Sequence, residues 1–130
     1  MPSGGDRPFE GRRVLVVEDE YIVALDLEDT LRALGCEVLG PAASVAQALA
    51  LLALERPDAV TLDLNLLDGL AVPVAELLAS MGVPFVVVSA YSAGSVDHPV
   101  LKQAPRLSKP FGRAALKRGL ERLLAGDSPG

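Results

Sequence analysis

Chemistry-bearing residues recur at one kind of position in this chain: Glu18-Asp19 after RRVLVV, Asp63 and Asn65 within AVTLDLNLLDG, Ser89 in PFVVVSAY and Lys109 in PRLSKPF. Each stands at the end of an apolar run. An ionised Asp among Val60, Leu62 and Leu64 is costly in a low-dielectric interior unless it is paired, hydrogen-bonded or bound to a metal. If the runs end together, three carboxylates, a hydroxyl and an ammonium meet there. Crowded carboxylates repel one another, and hard oxygen donors around a small open position suit Mg²⁺ or Mn²⁺. Lys109 beside Asp63 should lower the Asp63 pKa and keep it ionised as a nucleophile. In phosphoryl transfer a protein positions an in-line attack and neutralises charge on the equatorial oxygens, a task that the metal, Lys109 and the Ser89 hydroxyl can share. The product would be an aspartyl phosphate on Asp63.

The elements must bring these groups to one edge. RRVLVVEDE reads as a buried strand over about 12–17 that stops at acids. From Glu20, the apolar positions Ala24, Leu27, Leu31 and Leu34 follow helical spacing, with Gly35 as the C-terminal cap. CEVLGPAA gives a second strand closed by Gly40-Pro41, and Ser44 with Gln47 has capping-box spacing before a helix that ends ahead of Pro57. DAVTLDL is a third strand. Leu70, Val74, Leu77 and Met81 share one face of a third helix, with Pro73 in its first turn. PFVVVSAY is a fourth strand, SVDHPVLKQA a weak, Pro-interrupted helix, and PRLSKPF a short fifth strand. GRAALKRGLERLLAG closes the chain as a helix with Leu116, Leu120, Leu123 and Leu124 inward. Continuously apolar strands alternating with helices call for a parallel sheet covered on both faces, an α/β doubly wound (βα)5 sandwich. In such a sheet the ligand site lies outside the carboxyl ends of the strands, where the residues named above stand.

The 130 residues are 50% hydrophobic and 22% charged, which suits a single domain with a substantial core. We expect that domain over 11–125, with 1–10 a flexible lead and 126–130 a flexible tail. A formal net charge of −5 without any basic run argues against nucleic acid and anionic membranes as partners. The lone cysteine, Cys36, permits no internal disulfide and reads as a buried small hydrophobe, and His98 reads as a surface residue. No signal peptide or membrane-spanning stretch is apparent, so the expected location is the cytoplasm.

In order and spacing, VVEDE, TLDLNLLDG, VVVSAY and LSKPF resemble the receiver domain of two-component response regulators, over about residues 11–125. The resemblance implies a flavodoxin-like five-stranded sheet of order 2-1-3-4-5 that catalyses its own phosphorylation from a histidine kinase or phosphotransfer protein. It makes Asp63 the phosphoacceptor, Glu18 and Asp19 the acid pair that binds the metal, and the Asn65 carbonyl a further ligand. Ser89 becomes the switch hydroxyl and Lys109 the phosphate-binding lysine, oriented by Pro110 through a cis bond. Receivers commonly carry an aromatic three residues before that lysine; here the place holds Arg106, and Tyr91 is the nearest aromatic substitute for the switch. GPAASVAQALALL, GVPFVVVSAY and PRLSKPF together resemble single-domain receivers that accompany alphaproteobacterial stress-type kinases, although this chain has Val-Val-Ser-Ala-Tyr-Ser where that subgroup carries Phe-Ala-Thr-Gly. With the sequence ending at Gly130, output is expected through a downstream protein bound on the 4-5 face, where receivers also pair as homodimers.

Two other functions fit parts of the pattern. A phosphorylation-independent adaptor would keep the fold and use the 4-5 face constitutively. A small phosphatase working through an aspartyl intermediate would carry a second Asp two residues after its nucleophile, where this chain has Asn65. Asp68 and Gly69 read as turn and helix-start residues.

Overall fold

The computed structural model describes residues 9–89, 98–102, 104–109 and 112–126. The elements in chain order are β1 (Arg13–Val17), α1 (Tyr21–Ala33), β2 (Glu37–Ala42), α2 (Val45–Leu54), β3 (Ala59–Asp63), β4 (Asn65–Leu66), β5 (Gly69–Leu70), α3 (Val72–Met81), β6 (Phe85–Ser89), α4 (Pro99–Lys102), β7 (Arg106–Ser108) and α5 (Arg113–Gly126). Five of the strands form one parallel sheet of order β2-β1-β3-β6-β7, which is the expected 2-1-3-4-5 arrangement.

Strand alternation sorts the core into two layers. Leu15, Val17, Val60, Leu62 and Val87 point to one face and pack with Leu52 of α2, Val74 and Leu78 of α3 and Leu101 of α4. Val14, Val16, Ala59 and Val86 point to the other and meet Ala24, Leu27 and Leu31 of α1 and Leu116 and Leu120 of α5. Each fully buried leucine here stabilises the fold by about 1.5–3 kcal/mol relative to exposure.

The helix ends follow local chemistry. Gly35, at φ 99°, lets the chain leave α1 in a left-handed turn in which the Gly35 N–H donates to Arg32 O and the Cys36 N–H to Leu31 O, both at 3.0 Å. The Ser44 hydroxyl accepts the Gln47 N–H at 3.0 Å, and the Gln47 side chain accepts the Ala43 N–H at 2.8 Å.

Several local expectations are corrected. β2 does not close at Gly40-Pro41 but runs through both to Ala42, tolerable because β2 is an edge strand where a proline removes no inner ladder bond. Gly40 has φ 85°, and a Cβ there would lie 3.0 Å from Val16 O, so only glycine fits this close approach to β1. In α3 the buried face is Val74, Ala75 and Leu78; Leu77 and Met81 are half-buried, and Leu70 is exposed on β5. The expected stripe was displaced because Leu70 belongs to a two-residue hairpin rather than to the helix. At the start of the chain, the residues placed in a flexible lead include Phe9, which is buried against the α1–α5 layer while its N–H donates to Leu34 O at 3.1 Å. Cys36 is buried as expected, and burial pushes its thiol up to about 11.

Candidate functional site

The carboxyl ends of β1, β3 and β7 adjoin in the sheet order or nearly so, and their trailing residues converge. Glu18 follows β1 directly, held there by its N–H donating to Ala42 O at 2.8 Å. Asp63 is the last residue of β3, and Lys109 follows β7. Glu18 is 2% exposed and Asp63 5% exposed, as buried as the leucines beneath them. Among the described residues, Glu18, Asp19 and Asp63 form one acidic group, each offering a carboxylate oxygen within 4.8 Å of the others.

Among the described residues, Lys109 is the cation of this site. Its Nζ lies 3.1 Å from Glu18 Oε2, 2.8 Å from Glu20 Oε1 and 3.5 Å from Asp63 Oδ2. Burial opposes the ammonium, but the hydrogen bonds to Glu20 and Glu18 and the charge of Asp63 outweigh it, so its pKa is raised and it stays protonated. The Asn65 N–H donates to Asp63 Oδ1 at 3.2 Å, closing a tight turn that fixes the carboxylate.

The expected depression of the Asp63 pKa is not found. Burial first, then the hydrogen bond and charge of Glu18, push it up to about 6, outweighing the Asn65 N–H and Lys109. Asp19 is raised as well, by burial and then by the charge of Asp63. These are the signs of a negative group short of positive charge. Glu18 Oε1 repeats the message: it is buried and has no hydrogen-bond partner among the described residues, a costly condition for a carboxylate oxygen. Three converging carboxylates, an orphaned buried oxygen and hard donors only are a set that a small divalent cation fits.

One further expected residue is placed only in part. Ser89 closes β6 and pairs in register with Ser108, with its backbone at the same sheet edge. Tyr91 and Pro110 lie outside the described residues, as does the part of the expected helix before His98. Asn65 heads the short β4–β5 hairpin, antiparallel through the pairs Asn65 with Leu70 and Leu66 with Gly69. Arg106, in the place usually held by an aromatic, is half-buried on β7. His98 is away from the acids and faces Glu76, Nε2 to Oε2 at 3.4 Å.

Sequence reasoning missed two participants. Glu20 stands at the start of α1, as the sequence predicts, and also reaches Lys109, for which a third consecutive acid was the available signal. Asp68 lies in a turn, as expected, and the helix start that it serves is the distant one: its Oδ1 and Oδ2 accept the Val45 and Ala46 N–H groups at 2.7 and 3.1 Å, so it caps α2.

Beside the acids, Tyr21 and Ile22 open α1 with 72% and 73% of their surface exposed. Apolar side chains so exposed at the rim of a polar cleft favour contact with another protein.

Comparison with known proteins agrees with this geometry. The response regulator receiver domain family matches residues 14–121. The phyllosphere-induced regulator PhyR of Methylorubrum extorquens is 31% identical over 101 residues, which make up 75% of this chain and 38% of PhyR. The chain spans half or less of the length of such curated relatives. The solution structure of SdrG from Sphingomonas melonis Fr1 is 38% identical with a TM-score of 0.78, covering 88% of this chain and 97% of SdrG. The receiver domain of the sensor histidine kinase PA1611 from Pseudomonas aeruginosa PAO1, solved with a magnesium ion in its active site cleft, is 32% identical with a TM-score of 0.74, covering 88% of this chain and 98% of that one. The likeness to PhyR agrees with the stress-type subgroup read from the sequence. With its five-stranded sheet and its acid cluster facing one lysine, the chain belongs to the response regulator receiver domain family.

Proposed function

We propose that this chain accepts a phosphoryl group on Asp63 from the phosphohistidine of a histidine kinase or phosphotransfer protein, and signals through a protein partner. The observation that carries the reading is Asp63 itself, 5% exposed at the end of β3 with Lys109 at 3.5 Å and the carboxylates of Glu18 and Asp19 beside it. A merely structural ion pair would need no second and third acid crowded against it.

In the transfer, an Asp63 oxygen attacks phosphorus as the donor's bond to phosphorus breaks, and charge spreads over the three equatorial oxygens. Lys109 supplies fixed positive charge to those oxygens, and the Asn65 N–H orients the attacking carboxylate through Oδ1. Ser89, at the matching end of β6, is the hydroxyl that engages the phosphoryl group. Mg²⁺ or Mn²⁺, held by Glu18, Asp19, Asp63 and the Asn65 carbonyl, would relieve carboxylate repulsion and neutralise charge on the transferred group. The magnesium ion in the PA1611 receiver domain supports that assignment.

The expected output surface is the 4-5 face. There an apolar hollow lined by Ala79, Phe85, Val100, Pro105 and Leu123 brings α3, β6, α4 and α5 together. Phosphorylation would bias this face between arrangements that a partner binds differently.

Intact-mass spectrometry after incubation with acetyl phosphate and Mg²⁺ tests the reading. We expect one added phosphoryl mass on the wild type, none on Asp63→Asn and none after chelation of the metal. An unmodified wild type, with acetyl phosphate and with a phosphorylated histidine donor alike, would leave the constitutive adaptor as the better account.

A further inference from the structure

Of the three N–H donors of the Lys109 ammonium, two are committed to hydrogen bonds with Glu20 and Glu18, at 2.8 and 3.1 Å, while Asp63 lies at the longer ion-pair distance of 3.5 Å. The shortest of the three contacts, 2.8 Å, goes to Glu20, whose side chain is exposed and stands outside the group formed by Glu18, Asp19 and Asp63. We propose that Glu20 is a positioning residue that holds Lys109 at the rim of the site, and that its release is a step in the phosphorylation of Asp63. The proposal rests on the phosphoacceptor reading above and adds a brake to it.

The reasoning is one of supply and demand for N–H groups. When the phosphoryl group arrives, its equatorial oxygens need donors, and to offer more than the N–H that faces Asp63, Lys109 has to turn another away from Glu18 or Glu20. Glu18 is a poor one to leave, since its Oε1 is already buried without a partner among the described residues and only Oε2 is satisfied. Asp63 is the residue under attack. Glu20 is open to water, which replaces the lost hydrogen bond at little cost, so it is the carboxylate that lets go. Exposed ion pairs are weak, which makes this a brake of a few-fold and not a lock.

The test uses phosphoramidate, a small donor that needs no protein partner. Asp63 forms the O–P bond, the P–N bond breaks, and the nitrogen leaves as ammonia with the three protons it already carries. Intact mass gives the second-order rate constant with Mg²⁺ present. Glu20→Gln is expected to raise it about two- to fivefold. In a Lys109→Ala background, followed over hours, the same substitution should leave the rate unchanged, because the brake acts through the lysine. An equal gain in both backgrounds would overturn the proposal, since Glu20 would then act only by repelling an incoming anion. No gain with Lys109 present would overturn it as well. A second readout is independent of turnover: proton exchange of the Lys109 ammonium, followed by ¹⁵N NMR, should be faster in Glu20→Gln than in the wild type, and equal exchange would refute the hold. A wild type that takes no adduct on Asp63 would remove the phosphoacceptor reading itself, a result distinct from any of these.

Discussion

Asp68 caps a helix that begins 23 residues before it: its Oδ1 accepts the Val45 N–H at 2.7 Å and Oδ2 the Ala46 N–H at 3.1 Å. The first turn of α2 has no acid of its own, so the unpaired N–H groups and positive end of that helix are served from the hairpin that follows Asp63. The Leu67 N–H adds a 3.3 Å bond to Ala43 O. The segment next to the phosphoacceptor is thereby tied to the α2 side of the sheet.

Removing this cap should loosen both ends of the tie. The Val45 N–H bond, then the Ala46 N–H bond, hold the Asp68 pKa below its ordinary value. A depressed carboxylate contributes stability that is present above its unfolded pKa and lost as pH falls through the folded one. Asp68→Ala is expected to lower Tm at neutral pH and to narrow its gap from the wild type below about pH 4. Asp68→Asn, which keeps one acceptor oxygen, should fall between them. Thermal melts across pH read this, and equal melting of all three proteins would show that the cap contributes nothing.

Asp63 carries the opposite sign. Its pKa is raised to about 6, chiefly by burial and then by Glu18. A raised carboxylate adds stability that is complete below the unfolded pKa, near 4, and lost as pH rises through 6. Metal-free wild type should therefore weaken between about pH 4 and 7 relative to Asp63→Asn. We expect the variant to be more stable at pH 7 in EDTA by about 1–3 kcal/mol, from urea titrations at matched pH. Millimolar Mg²⁺ should restore the wild type and do much less for the variant, since a bound cation stabilises the folded state by mass action. Parallel stability curves for the two proteins in EDTA would contradict the strained-carboxylate picture.

Transfer from a protein donor should depend on a surface that small donors ignore. Ile22 is 73% exposed at the start of α1, and Tyr21 beside it is as open. Ile22→Glu is expected to slow phosphorylation by a phosphorylated histidine donor about tenfold or more, within the range of a contact hot spot. The rate with acetyl phosphate and the thermal stability should stay at wild-type values. Equal slowing with both donors would mean that the substitution damages the site and not the docking.

What the sequence made legible is set by range. β1, β3 and β6 announced themselves because strands buried on two faces are continuously apolar, and their ends located Glu18, Asp63 and Ser89 without any knowledge of contacts. The Ser44–Gln47 cap was equally visible, being a three-residue relation. The turn at Asp68 was legible but the helix that it caps was not, because its partner lies 23 residues away and no local rule favours α2 over the nearer α3. The β4–β5 hairpin pairs only two residues on each side, too few for alternation to register, and it carried Leu70 out of the expected helical stripe. The direction of the Asp63 pKa was not legible because the sequence shows Lys109 as a neighbour but not the burial of the carboxylate or the hydrogen bond and charge of Glu18, which outweigh the lysine.

The anchoring of Phe9 has a practical side. It sits before β1, at the amino ends of the parallel strands, whereas Glu18, Asp63 and Lys109 gather at the carboxyl ends. The five residues of β1 alone separate the two edges by about 16 Å. A fluorophore or affinity handle joined at the exposed Arg12 would therefore leave from the far side of the sheet, clear of any donor approaching Asp63. The same placement makes the buried ring a fixed point, so distances measured from such a probe would track movement of the opposite edge and not wobble of the attachment.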